Sequence, residues 1–188
     1  MLYDIPMVIF AGGKSSRMGQ DKALMPFGKY NSLAQYQYER LSKIFKNIYI
    51  SSKTNKFDFD ANIIYDNSHT VSSPLVGLIS TLEQLDQESF ILSVDAPFVE
   101  NSVFDKIIKN HTDRFDATIA KSLQGLEPLC GIYSPSIIKQ AKANLQQNNH
   151  SLTSLLKDSN TNYIFFDDAK SFTNLNYMQD YKNATKLC

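Results

Sequence analysis

Cysteine is scarce in this 188-residue chain: Cys130 lies in an apolar stretch and Cys188 at the end, neither in CxxC or histidine-rich company. A structural zinc site and a disulfide framework are thereby disfavoured, and a reducing compartment is expected. Charge of one sign is missing as well, since 19 Lys+Arg face 19 Asp+Glu. No global basic field exists to drive sequence-independent nucleic-acid binding, so any attraction for anions is local. Long hydrophobic runs are absent too. The start, "MLYDIPMVIFAGG", has no basic leader and too short an apolar stretch for a signal core or a membrane span. A soluble, cytoplasmic protein is the expectation. Finally, His69, His111 and His150 have no carboxylate or serine at a recognisable spacing, and no GxSxG occurs. Hydrolysis through a covalent acyl-enzyme is disfavoured, and each histidine reads as surface polar.

With 43% hydrophobic side chains the chain can bury one good core, and a single domain over residues 1–188 is expected. Short runs rich in Ile, Val, Phe and Tyr predict strands near 5–10, 47–51, 62–66, 90–95, 116–120, 129–133 and 162–166. Between them, Leu33, Tyr36, Arg40, Leu41, Ile44 and Phe45 sit near a 3.6-residue period. Leu75, Leu78, Ile79, Leu82 and Leu85 mark a second helix, and Val103, Phe104, Ile107 and Ile108 a third. The alternation predicts a three-layer α/β/α sandwich with a Rossmann-like, mainly parallel sheet. Ligands of such sheets bind at the carboxyl ends of strands, where the glycine loop, Asp66 and Asp95 fall. Residues 53–62, 146–151 and 157–162 read as polar surface loops.

The string "IFAGGKSSRMGQDK" (9–22) fails both the Walker pattern and GxGxxG. Its physics still suits an anion. Gly12 and Gly13 let backbone N–H groups form a concave nest, and Lys14, Arg17 and Lys22 place cations around it. An ordinary strand-to-helix turn with a solvated basic face is the plainer alternative. Asp95, after the strand "FILSV" and before "APF", is a good seat for Mg²⁺, which favours one or two carboxylates with phosphate oxygens. The alternative, a cap for a helix at about 101–110, is already served by Asn101 or Ser102. Asp66 divides evenly between turn residue and ligand contact.

These residues carry a resemblance. "FAGGKSSRMGQDKALMPFG" resembles the signature LAGG-x-S-x-R-M-G-x-D-K of nucleotidyltransferases of the nucleotide-diphosphosugar-transferase fold. Within that group the chain is most similar to the molybdenum cofactor guanylyltransferases (MobA type). "SPLVGL" (73–78), "DAPF" (95–98), "GLEPLCGIY" (125–133) and "FTNLN" (172–176) match further family patterns in order, from about residue 5 to 181. Phe10 replaces the usual leucine, Ser73 a glycine, and Ser51 an asparagine often found after the second strand.

The resemblance implies transfer of GMP from Mg²⁺-GTP to the terminal phosphate of molybdopterin or its molybdenum-loaded cofactor, with release of pyrophosphate. It implies that Phe10, Ala11, Gly12 and Gly13 hold the nucleotide with Ser51 and Asp66, that Lys22 holds its phosphates, and that Asp95 binds Mg²⁺. Arg17, Lys22 and Asp95 would be the catalytic residues. The N-terminal half would bind GTP; in the C-terminal half, Glu127, Asn174 and Asn176 offer a carboxylate and amides to the pterin. "NLN" as a cap for the last helix is weighed equally. A cytidylyltransferase or sugar-phosphate nucleotidyltransferase of the same fold, and a non-catalytic nucleotide or cofactor carrier, remain alternatives. Delivery of a fragile cofactor would add contacts with molybdoenzymes or cofactor-insertion proteins.

Overall fold

The structure, a computed structural model, describes residues 2–12, 20–66 and 73–185. Seven strands form one sheet in the order β3-β2-β1-β4-β6-β5-β7: β1 (Met7–Phe10), β2 (Ile48–Ser52), β3 (Ile63–Tyr65), β4 (Ser89–Ser93), β5 (Ala117–Ser122), β6 (Gly125–Tyr133) and β7 (Thr161–Phe165). All neighbours pair parallel except β6, which runs antiparallel to both β4 and β5. Every strand expected from composition is present, and the α/β/α fold with its mainly parallel sheet agrees with the expectation.

The alternation of β1 explains the layering. Met7 and Ile9 enter one apolar cluster while Val8 and Phe10 enter the other, so the strand is buried on both faces. On the first face pack α1 (Leu33–Leu41), α3 (Asn101–Asn110) and α6 (Met178–Thr185), through Leu33, Leu41, Phe104, Ile107 and Ala184. On the second lie α2 (Pro74–Leu85), α4 (Ile138–Gln146) and α5 (Leu152–Lys157), through Leu75, Leu78, Ala141 and Leu155. Ser32 and Ser73 cap α1 and α2 by accepting the Gln35 and Val76 N–H groups, and Pro74 opens α2 where its missing donor costs nothing.

Helix α3 departs from expectation. It begins at Asn101 with Glu100 at the cap position and no side-chain capping bond, so neither Asn101 nor Ser102 caps it. Helix α6 begins at Met178, beyond Asn176, and Asp180 accepts the Tyr177 N–H at 2.8 Å. Residues 53–62 are more than a surface loop, because Phe57 and Phe59 pack against the core and Phe59 meets Tyr38 at 5.6 Å between ring centroids.

One irregularity interrupts the β5–β6 pair. Ile119 faces Gly131 across it, yet its neighbour Ala120 faces Glu127. Pro128, Leu129 and Cys130 therefore bulge out of that pairing. Pro128 has no N–H to lose there, and the buried Tyr133 hydroxyl donates to its carbonyl at 2.6 Å.

Candidate functional site at the carboxyl edge of the sheet

Strand β1 ends at Phe10, and Ala11 and Gly12 carry the chain to the carboxyl edge; a Cβ on Gly12 would meet nothing within 4 Å. Gly13 and Arg17, both expected to serve here, lie outside the described residues. Past them, Asp21 accepts the Ala23 N–H at 3.0 Å and so starts the 3-10 turn Lys22–Leu24. That turn aims Lys22 at the loop after β4, where its ammonium lies 3.4 Å from Asp95 Oδ2. The Ser93 hydroxyl donates to Asp95 Oδ1 at 2.6 Å. Two groups 73 residues apart thus meet, with side chains only 14% and 23% exposed, where mutual attraction is stronger than on the open surface.

The base of this loop is tied by a residue that sequence reading missed. Lys56 donates to the Ala11 carbonyl at 3.0 Å and pairs with Asp21, the carboxylate that caps the Lys22 turn. Nothing in "KTNKFDFDAN" marks one lysine from its neighbours, so only the fold could single it out.

The loop after β4 is braced from behind. Gln37, fully buried in α1, donates to the Val94 carbonyl at 3.2 Å and accepts two bonds from the Arg40 guanidinium. Arg40 also donates to the Val99 carbonyl at 2.7 Å. Asp95 is therefore held by main chain on both sides.

The nucleotide-side residues expected in β2 and β3 also converge. The Ser51 hydroxyl stands 3.5 Å from Asp66 Oδ1, and the backbone of Gly77 in α2 closes against both. A Cβ on Gly77 would lie 3.2 Å from Ser51 Oγ, 3.3 Å from the Phe10 ring and 3.5 Å from Asp66 Oδ1. Burial pushes the Asp66 carboxyl up, while the Lys53 charge and the Ser51 hydroxyl pull it partly back.

Beside Asp95 opens a cavity of about 430 Å³. One wall is the bulged β6 segment from Glu127 to Cys130; another is Phe172 and Asn174; a third runs from His150 to Thr153. The Ser122 hydroxyl donates to Glu127 at 2.7 Å. Burial and then the Asp95 charge push the Glu127 carboxyl up, against that hydrogen bond, which lowers it. Leu175 N–H donates to the Asp95 carbonyl at 2.9 Å, locking the Phe172–Asn176 segment to the loop after β4. Asn176 is outside the lining, whereas Glu127 and Asn174 are in it.

Two histidine expectations need correction. His150 is no plain surface residue: it lines the cavity, and its ring reaches Ser73 Oγ at 3.2 Å. With it, residues 146–151 cease to be a featureless loop. His111 is buried at the opposite edge, between Thr118 Oγ1 at 2.8 Å and Glu88 at 3.1 Å. His69 lies outside the described residues.

An ammonium paired with a carboxylate at the carboxyl edge of a mainly parallel sheet is the setting in which α/β proteins of this architecture bind ligands such as nucleotides. Comparison narrows the class. Residues 7–162 match the model of the MobA-like NTP transferase domain. A protein of Campylobacter jejuni (serotype O:6, strain 81116) named molybdenum cofactor guanylyltransferase is 37% identical over 183 residues, covering 96% of this chain and 95% of that one. A protein of the same name from Helicobacter pylori J99 is 33% identical, covering 100% and 91%. The crystal structure of molybdopterin-guanine dinucleotide biosynthesis protein A from Archaeoglobus fulgidus superposes with a TM-score of 0.83 at 22% identity, covering 98% of each chain. The chain belongs to the MobA-like NTP transferase family.

Proposed function

We propose that this protein transfers GMP from GTP to the terminal phosphate of molybdopterin or its molybdenum-loaded form. The observation that carries the reading is Asp95, which touches Lys22 on one side and lines the Glu127–Asn174 cavity on the other. A donor held at Lys22 and an acceptor held in the cavity meet at one carboxylate.

An oxygen of the acceptor's phosphate attacks the α-phosphorus, the bond from that phosphorus to the bridging oxygen breaks, and pyrophosphate leaves. The attacking phosphate is anionic at neutral pH, so no general base is required. The task is to bring polyanions together and to stabilise charge on the α-phosphate and the leaving group. Lys22 offers its ammonium to the phosphates, with Arg17 and the Gly12–Gly13 main chain assigned to the same loop. Ser51 and Asp66 face the nucleoside, with Phe10 and Ala11 as backbone contacts. Glu127 and Asn174 address the pterin, and Asn176 follows by its neighbourhood. The N-terminal half is thus the GTP side and the C-terminal half the acceptor side.

The residues fit a Mg²⁺ ion. Asp95 is a single carboxylate beside the phosphate seat, which is the donor set Mg²⁺ favours. Phosphate oxygens and water would supply the rest of the shell. When bound, the ion would neutralise charge on the phosphates. Among the described residues no helix is long and apolar enough to cross a membrane.

The test is pyrophosphate release from purified protein with Mg²⁺, molybdopterin and each nucleoside triphosphate in turn. Release with GTP alone supports the proposal, and release with CTP moves the protein to a cytidylyltransferase. Nucleotide binding without release from any triphosphate would make it a carrier.

A further inference from the structure

The cavity wall at His150 belongs to a turn held by its own hydrogen bonds. Asn148 adopts a left-handed conformation at φ 57°, Asn149 donates to Ser154 Oγ at 2.8 Å, and Ser151 N–H returns to Asn149 Oδ1 at 3.1 Å. His150 projects from this turn toward the start of α2, 77 residues earlier in the chain.

The partners fix the tautomer. Nε2 lies 3.1 Å from Asn148 Oδ1, which can only accept, so Nε2 carries the hydrogen. Ser73 Oγ accepts the Val76 N–H, and its own O–H is available to donate to the bare Nδ1 at 3.2 Å. Asn148 sets this arrangement, and the Ser73 hydroxyl, with a hydrogen to give, complies with it. Ser73 also departs from the glycine of the motif this segment resembles, and glycine has no hydroxyl to give.

The two ends of this bond differ in rigidity. Helix α2 is anchored through buried Leu75, Val76 and Leu78, and its Gly77 abuts Ser51 and Asp66. The turn from 146 to 151 is mostly exposed or half-buried. We infer that His150 is a positioning residue: through Nδ1 and Ser73 it latches the acceptor-cavity wall to the helix that borders the nucleotide side. The kinetic role of this latch rests on the proposed guanylyl transfer. Because α2 is the fixed party, loss of the latch loosens the acceptor wall and leaves the nucleotide side as it was.

The experiment compares steady-state guanylyl transfer, with GTP and molybdopterin varied separately, in wild type, His150→Ala, His150→Asn, His150→Gln and Ser73→Gly. Asn places an acceptor where Nδ1 stands and Gln mimics Nε2, while glycine is tolerated at the cap of α2. His150→Ala, His150→Gln and Ser73→Gly are expected to raise the molybdopterin KM by about threefold to tenfold, the loss of one hydrogen bond. In all three, kcat and the GTP KM stay near wild type, and His150→Asn restores the molybdopterin KM. Rescue by Gln rather than Asn, or a silent Ser73→Gly, overturns the latch in favour of direct contact through Nε2. The tautomer is read without substrate by long-range ¹H–¹⁵N NMR. An Nδ1–H ring overturns the latch even in an active enzyme. An inactive wild type whose ring is Nε2–H overturns the proposed function and with it the kinetic role, while the bond itself stands.

Discussion

The two halves of the molecule build their parts of the cleft by different means. In the half from β1 to β4, parallel strands deliver chemistry by topology: each strand ends at the same edge, where Ser51 is next to last in β2 and Gly12, Asp66 and Asp95 follow the ends of β1, β3 and β4. The half from β5 to α6 has an antiparallel strand whose residues reach the cavity from mid-strand, through a bulge, with a turn and a returning segment as further walls. Strand ends tolerate neighbours poorly specified in sequence; a bulge depends on register and on contacts such as Tyr133 to Pro128.

The sharpest break of this contrast is at Asp95, where the halves meet. Lys22→Ala and Asp95→Ala should each lower transfer about a hundredfold or more, while circular dichroism and melting stay close to wild type. Near-normal turnover in either variant would remove the site assignment. A comparable energy, spent on stability, is expected at the bulge. A Cβ on Gly131 would lie 2.4 Å from the Thr118 carbonyl oxygen and 2.9 Å from the Ile119 Cα, both backbone atoms that cannot yield cheaply. Gly131→Ala should cost roughly 3 kcal/mol in urea unfolding.

Gly77→Ala sharpens the comparison on the other side. The added methyl crowds Ser51 and the Phe10 ring by a few tenths of an ångström and only touches Asp66, whereas alanine is a better helix former than glycine by about 1 kcal/mol. GTP binding measured by calorimetry should weaken, by about threefold, with no loss of melting temperature. A fall in melting temperature with unchanged GTP affinity would mean that the helix packs here for support alone.

The smallest effect is at Glu127. Its carboxyl is raised from the ordinary value of 4.5, so the folded protein binds a proton more readily than the unfolded chain. Ionisation therefore costs stability as pH rises through the ordinary value and the raised one, and the full cost is present above both. Glu127→Gln, which keeps an acceptor for Ser122, should melt higher than wild type at pH 7, with the difference vanishing below pH 4.5. A difference that persists in acid would assign the gain to packing.

Legibility in the sequence followed the same divide. All seven strands and the carboxyl-edge position of Asp66 and Asp95 were readable, because buried strands write themselves as short β-branched and aromatic runs. Lys56, Gln37 and His150 were not, since each is an ordinary polar residue until the fold supplies its partner 35, 57 or 77 positions away. Helices α4 and α5 escaped as well: α4 buries only Ala141 and Asn144, and α5 is too short at six residues to show a period. The bulge was hidden for a related reason: only 129–133 reads as a strand, and pairing to β5 and β4 reveals both that β6 starts at Gly125 and which residues are spared from alternation.

The bond from Leu175 to Asp95 gives the molecule an order in time as well as in space. Tyr181 adds a second tie, its hydroxyl donating to the Pro26 carbonyl just past the Lys22 turn. A chain emerging from the ribosome can pair β1, β2, β3 and β4 long before residues 175–181 exist. Its earliest strands thus wait on its latest segment for the last brace: a nascent or prematurely ended chain would hold Asp95 through the Gln37 and Arg40 contacts alone, with the cavity wall at Phe172 and Asn174 still missing.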